Sequence, residues 1–422
     1  MNLKELTILE FEEFVYKSPL GSHYQTSDYG ILMSEQGYDY DLIGLVNEYG
    51  EVLAASLILI KKIGLKTKYG YAPKGFIIDY FNQPLLKEFT EKLKIHYLKK
   101  HVAFIKINPE IAISEIDLQS KAKTYNWNNQ IRDFLEDLNY LKLKDNLYFE
   151  SCLPRFNGII SLKDLSLNHF EKNTRNKIKR AISKGLEIEL SERSGMDILY
   201  HFIKNKKNKD EFYYKDYYNI FHKKKRIDLF LVSINTKEYL LNAKEMYEKE
   251  LEINTQLNQN LIRNNTQKNI NLKMNSDRKL LSYKNDVLEA TERNSKHEKI
   301  YIAGALVIKY KNRVQILISG YDKKMKRYNP NHFLHYKIME YYQEDYTYFD
   351  LNGMTGDFTK ENPYYGLNEF KLGFKPKVYE FIGEYDLIIN PKKYQNLLST
   401  GTLAKIFNKN DLKQPKENAS TK

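Results

Sequence analysis

The sequence predicts a mixed α/β (α+β) protein of two layered units, with a helical arm inserted into the second. Three observations carry that prediction. Strand-like and helix-like stretches alternate from residue 1 to about 150, and a similar alternation restarts near residue 156. Between 236 and 297 the chain then contains neither glycine nor proline, and polar side chains dominate. Alternating elements of this kind bury their apolar faces by stacking helices on sheets.

The elements follow in order. Leu6 to Tyr16 carries apolar residues at helical spacing. Tyr40 to Val46, Val52 to Ile60 and Gly75 to Asp79 read as strands, separated by the turn-rich stretches Asn47 to Gly50 and Tyr71 to Gly75. Leu85 to Lys99 is amphipathic and leads into the buried-strand pattern Ala103 to Ile107. In the second unit, Gly158 to Leu162 is strand-like, Asn173 to Lys184 is a basic helix stopped by Gly185, and Leu229 to Ile234 is a strand.

In the arm, Tyr239, Met246 and Ile253 recur every seven residues, as do Met274, Leu281 and Leu288. That spacing predicts an antiparallel two-stranded coiled-coil hairpin. The Asn-rich centre, Asn254 to Asn275, also suits a disordered insertion. Ile300 to Tyr310, Arg313 to Leu317 and Tyr346 to Leu351 resume as strands, with a helix from Asn331 to Tyr342. The expected division is therefore 1–155, 156–235, the arm 236–297, 298–400, and a basic C-terminal tail 401–422.

Composition narrows the function. A formal charge of +13 favours a polyanionic partner: nucleic acid, an anionic membrane surface or a pyrophosphate-bearing substrate. Cys152 is the only cysteine, which excludes an intramolecular disulfide and a multi-cysteine metal site. The first residues lack the basic start and apolar run of a secretory signal, and no apolar run is long enough to span a bilayer. The expected location is cytoplasmic, with peripheral contact at the inner membrane face open. No phosphate-cradling loop, dinucleotide turn, zinc-protease pair or nucleophile elbow occurs, and the His residues lack metal-ligand spacing. Neither a metal nor a cofactor is expected, and no Gly-x-Gly turn suits the coenzyme A pyrophosphate.

A set of short motifs then recurs in a recognisable order. It begins with Leu6-Thr-Ile-Leu-Glu-Phe11 and Ser22-His-Tyr-Gln-Thr26, followed by Val52-Leu-Ala-Ala-Ser56. Next come Tyr71-Ala-Pro-Lys-Gly75 with Asp79, Ile105-Lys-Ile-Asn-Pro-Glu110, and the basic helix Thr174 to Gly185. After the arm come Phe349-Asp-Leu-Asn-Gly353, Gly356-Asp-Phe358 and Phe370-Lys-Leu-Gly-Phe374. In this order the chain resembles the Fem-type (FemABX) family of peptidoglycan bridge-forming aminoacyltransferases.

The resemblance implies two GNAT-like domains, the first carrying a groove for the precursor and the second the arm. It implies that an amino acid such as Gly, Ala or Ser moves from aminoacyl-tRNA to the stem-peptide amine of a lipid-linked or UDP-linked peptidoglycan precursor. The catalytic pair is then Phe370 and Lys371, with Lys371 stabilising the oxyanion; read without the resemblance, Lys371 is an ordinary strand-edge lysine. The substrate-binding set is Tyr29, Lys74, Asn108, Lys206, Lys207, Lys209 and Tyr321. Leu32 and Asn108 depart from the family pattern, which has Lys and Asp there. Tyr213, Tyr214, Tyr217 and Tyr218 serve either substrate or packing. Arg175, Lys177, Lys179, Arg180 and Lys184 form either a tRNA face or a merely solvated one. Two other classes compete: an acyl-CoA-dependent N-acyltransferase and a non-catalytic RNA-binding scaffold.

Overall fold

The computed structural model describes residues 1–64, 66–148, 152–163, 165–206, 209–296 and 299–407. Among these residues the chain forms two mixed sheets covered by helices, so the mixed α/β class holds. One sheet has seven strands, in the order Asn2–Glu5, Asp39–Val46, Val52–Gly64, Thr67–Ala72, Val102–Ile107, Tyr385–Ile388 and Tyr140–Lys142. The other has nine: Leu186–Ser191, Ile227–Asn235, Lys299–Tyr310, Arg313–Tyr321, Tyr348–Met354, Phe156–Ser161, Lys377–Phe381, Ala112–Ile116 and Lys123–Tyr125.

The sheets exchange strands. Residues 112–125 leave the first unit to pair with 377–381, while 385–388 returns to pair with 102–107. The segment Gly75–Asp79, expected as a strand, instead follows a turn at Lys74 (φ 56°) and keeps only an isolated bridge between Ala55 and Ile77. The left-handed backbone at Lys74 breaks the extended run there.

Local chemistry explains the helix starts. Thr7 and Glu10 form a reciprocal cap on Ile8–Lys17, and Asn82 caps Gln83–Lys99 with a proline in its first turn. One apolar cluster spans both units, joining Phe11, Tyr29 and Leu57 to Tyr217, Leu229 and Leu306. A shared core of this kind opposes free hinge motion between the units.

The arm is a helical hairpin, Thr236–Arg263 against Gln267–Lys296. Its antiparallel register shows in the contacts Thr236–Asn294, Tyr239–Glu289 and Glu250–Ser276. The heptads predicted for its second helix do not form the seam. Met274, Leu281 and Leu288 are 49%, 62% and 62% exposed, whereas Ser276 and Ala290 are buried. The seam instead carries a polar layer in which the Ser276 hydroxyl donates to buried Glu250 at 2.7 Å and Asn254 donates to Ser276 at 3.1 Å. The contact face of that helix, Ser276, Leu280, Tyr283, Val287 and Ala290, still recurs at heptad spacing, in a register offset from the predicted one.

Candidate functional site

Strands 313–321 and 348–354 run parallel, but they pair only from Arg313–Tyr348 to Gln315–Asp350. Past that point Asn352 adopts a left-handed conformation and its side chain donates to the Ile316 carbonyl. Two lysines bond to the two strands beyond the last paired residues. Lys371 Nζ donates to the Gly353 carbonyl at 2.5 Å, and Lys206 Nζ donates to the Ser319 carbonyl at 2.7 Å.

Lys371 lies on the helix Tyr365–Leu372, not at a strand edge. Asn368 of the same helix anchors it: its amide donates to the Thr355 carbonyl (3.1 Å) and hydroxyl (2.8 Å) and to the Asp357 carbonyl (2.9 Å). This gives the Gly356-Asp-Phe358 motif a physical role as the strap that fixes the lysine helix.

Burial drives the Lys371 pKa down to about 7; Asp350 pulls it back up, and Lys206 adds to the depression. Asp350 is itself buried, and burial raises its pKa against the pull of Arg313. It accepts from the Asn352 amide at 2.7 Å and from the Asn157 and Gln315 side chains. Lys206 is also depressed, by burial and by Lys323. The pair is therefore a cationic centre whose charge depends on its occupant, since a negative ligand favours the protonated form.

Phe370 packs edge-on against His332 and His335, each with ring centroids 4.9 Å away, and against Phe374 at 5.4 Å. Burial holds His332 at about 4 and His335 at about 3, so both are neutral at pH 7. Beside them opens a cavity of about 700 Å³ lined by Phe370, Tyr321 and Lys177. The first turns of three helices, starting at Lys172, Pro330 and Tyr365, contribute to its wall, with Lys121 and Lys326. Glu171 and Glu369 also line it, so three lysines against two carboxylates leave one positive charge, and the helix N-termini add to it in favouring a negatively charged occupant.

The structure thus gathers Lys371, Phe370, Lys206, Tyr321 and Lys177 into one region, and the other sequence-predicted residues lie apart from it. The Lys74 amide donates to Asn108 Oδ1 at 2.9 Å, and Lys74 Nζ lies 3.5 Å from Glu110. Burial pushes the Glu110 pKa up, but Lys74 and Arg313 outweigh it and hold the carboxyl at about 2. Tyr29 is buried against Tyr24 and Tyr217. Tyr213, Tyr214, Tyr217 and Tyr218 are all buried in the shared core, as packing residues. Lys209 lies 3.4 Å from Gln36 and over the Tyr213 ring. Lys207 lies outside the described residues.

On the basic helix Lys172–Ser183, Lys179 and Arg180 are exposed, and Arg175 donates to the Asn168 carbonyl. Lys184, just beyond that helix, is tied to the arm by Asp286 at 3.3 Å and sits over the Tyr328 ring. Among the described residues, one set of possible metal ligands converges: Glu5, Asp41 and His96. The Lys100 ammonium already bridges its two carboxylates, at 3.2 and 2.7 Å.

Sequence reasoning missed Asp350, the Gly353 carbonyl and the two histidines. Asp350 and Gly353 stand inside one of the ordered motifs, and a lysine with an acid in neighbouring motifs was the available signal. The histidines carried no such signal, because both act by packing on Phe370, with His332 also lining the cavity.

Comparison with known proteins follows the same lines. The FemAB family model matches residues 6–399. The lipid II:glycine glycyltransferase of Staphylococcus aureus is 27% identical over 409 residues, covering 94% of each chain. Its counterpart in S. aureus strain MRSA252 is 26% identical over the same length and coverage. The crystal structure of FemX superposes with a TM-score of 0.72 at 24% identity, over 94% of this chain and 100% of that one, which establishes a common fold. A family match across nearly the whole chain, on a fold of the same architecture, leads to one conclusion: the chain belongs to the FemAB family.

Proposed function

We propose that this protein is an aminoacyltransferase that moves an amino acid, Gly, Ala or Ser, from aminoacyl-tRNA to the stem-peptide amine of a peptidoglycan precursor. The observation that carries the reading is Lys371: a buried lysine bonded to Gly353, on the helix whose neighbouring residues Phe370 and Leu372 line a large cavity together with Tyr321. The polyanionic 3′ end of a charged tRNA suits that cavity, with its terminal base against Phe370. The relatives' names, lipid II:glycine glycyltransferase, support a precursor acceptor and a lipid-linked one first. Lys74, Asn108 and Lys209 are the proposed contacts on the acceptor side, with Tyr29 supporting them from the core.

The chemistry is ester aminolysis. The acceptor nitrogen attacks the ester carbonyl, a C–N bond forms, and the C–O bond to the ribose breaks. The proton lost by nitrogen ends on the leaving ribose hydroxyl. Lys371 has three N–H donors, and one is held by Gly353. The others are available for the tetrahedral oxyanion, whose arrival favours the charged lysine. One such donor typically contributes about 3–4 kcal/mol to lowering the barrier, and positioning contributes more. No external energy source is needed, because the ester lies above the amide. Among the described residues no helix is long and apolar enough to cross a membrane. Contact with the inner membrane face is proposed to run through the basic surface.

The test is incubation with purified precursor and a charged tRNA pool, with acetyl-CoA as a parallel arm, read by mass spectrometry. An added amino acid mass that depends on charged tRNA supports the reading. An acetyl mass, or no transfer at all, overturns it.

A further inference from the structure

Trp127 is the chain's only tryptophan, and it is 68% exposed. One face of its ring stacks on Phe81, with centroids 4.5 Å apart and planes within 15°, and Phe134 meets Phe81 edge-on at 6.3 Å. Phe81 can cover one face only, so the opposite face of the indole carries the exposure. Tyr125, 54% exposed, stands two residues away. Aromatic surface left open to water in a group like this marks a contact surface.

The ring is fixed from below. Trp127 opens the helical turn Trp127–Gln130, capped by Asn126, whose side chain accepts from the Asn128 backbone amide at 3.0 Å. The side-chain amides of Asn126 and Asn128 both donate to the Ala112 carbonyl, each at 2.9 Å. A ring positioned in advance loses little freedom when a ligand stacks on it. Ala112 is four residues from Asn108, a span of at most about 14 Å, and Phe81 follows Lys74 by seven residues. The aromatic face therefore flanks the residues proposed to contact the acceptor.

The surroundings select the occupant. Residues 79–83 and 125–134 carry Asp79, Asp133 and Arg132 as their charged groups, and Arg132 reaches Asp145 at 3.4 Å. Lys87, one helical turn past Gln83, adds a cation, and Lys123 is paired with Glu380 at 3.0 Å. In a chain of net charge +13 this face has no excess of cations. A nucleic acid or an anionic lipid surface finds no counter-charge there. What the face offers is an aromatic plane flanked by exposed Asp79, Asn82, Gln83, Gln130 and Asp133. The ring face is electron-rich and suits the polarised C–H face of a pyranose, while amides and carboxylates suit its hydroxyl and acetamido groups.

We propose that the Trp127 face binds a neutral N-acetylhexosamine unit of the acceptor. That the sugar belongs to the acceptor rests on the peptidoglycan-precursor reading; that the face takes a sugar does not. Trp127 is then a specificity residue, which holds the acceptor by its sugar and favours it over a bare peptide.

The test is titration of the full-length protein with tri-N-acetylchitotriose, followed by tryptophan fluorescence, which reports this one ring. A saturable change is expected, with a Kd on the order of 1 mM, the range for one stacked ring and a few hydrogen bonds. By calorimetry, Trp127→Ala should weaken binding about 10-fold or more, and Trp127→Phe, which keeps a stacking ring, should stay within about 3-fold of the parent. In transfer assays Trp127→Ala should raise KM for the sugar-bearing precursor about 10-fold, an effect on KM more than on kcat and absent with a sugar-free stem peptide. No saturable binding of the sugar overturns the proposal, and so does binding that survives Trp127→Ala. A fluorescence change with neutral lipid vesicles but none with sugar also overturns it and assigns the face to a bilayer. A KM for the precursor that is indifferent to Trp127→Ala overturns the acceptor as the source of the sugar. If no transfer occurs at all, the acceptor reading fails while the titration still decides the sugar site.

Discussion

Lys371→Met separates the proposed chemistry from the fold. The lysine's pKa is about 7 in the folded protein against 10.5 ordinarily. Between those values the unfolded chain holds a proton that the folded chain does not, so stability rises with pH across the window. The slope is about 1.4 kcal/mol per pH unit, which amounts to roughly 4 kcal/mol between pH 7 and 10.5. Methionine fills similar space without the charge and abolishes this contribution. It also leaves the Gly353 carbonyl without its donor, which costs about 1–3 kcal/mol. The variant is therefore expected to be at least as stable as the parent at pH 7 and to lose that advantage toward pH 10. Urea unfolding of both proteins at several pH values reads the difference, which cancels the other titrating groups. The same variant loses an oxyanion donor, so transfer should fall about 10²- to 10³-fold. A folded variant that turns over within tenfold of the parent refutes the catalytic role. A stability difference that is flat in pH refutes the buried-cation account.

Three further outcomes follow from the geometry. Glu110, held at about 2 against 4.5, contributes stability that is complete above pH 4.5 and lost as pH falls toward 2. Glu110→Gln should remove roughly 3 kcal/mol of that acid dependence and, by stranding Lys74 and Arg313, cost about 3–5 kcal/mol at pH 7 in denaturant unfolding. Glu250→Ala, which removes the acceptor of the buried Ser276 hydroxyl, should destabilise the arm by about 1–3 kcal/mol, with amide exchange accelerated in 236–296 and unchanged in the sheets. Lys179→Ala with Arg180→Ala should lower the salt slope of tRNA binding by about 0.7–0.9 for each phosphate that is no longer neutralised; an unchanged slope assigns that helix face to solvent.

Much of the architecture was legible because it rests on local patterns. The capped helix at Ile8–Lys17 and the buried strand Val102–Ile107 are both written in short-range spacing. What failed depended on distant partners. Gly75–Asp79, which apolar content alone made a strand, follows a left-handed turn at Lys74 and keeps a single bridge. The arm's seam takes the register of Ser276, Tyr283 and Ala290, which an apolar heptad search passes over because one member is polar and one small, and Leu281 and Leu288 lie outside it. At the site, Phe370 and Lys371 were found through a motif, and Lys206 and Tyr321 proved to lie near them. Lys184 met the arm, a contact no helical pattern reveals. Asp350, Asn368 and His335 act through contacts across separate elements, and only the folded chain displays those.

The strand Tyr385–Ile388 has a consequence for how the protein is made. It pairs with Val102–Ile107 on one side and Tyr140–Lys142 on the other, and the latter reaches the seven-stranded sheet through it. During synthesis, the edge of Val102–Ile107 facing that gap waits unpaired while almost three hundred residues emerge. An open edge of buried-type strand is a template for pairing with another chain. The first unit therefore completes its sheet last, and truncation before residue 385 exposes a sticky edge in the half of the protein that was made first. Premature termination near the C-terminus should thus cause aggregation through the N-terminal unit.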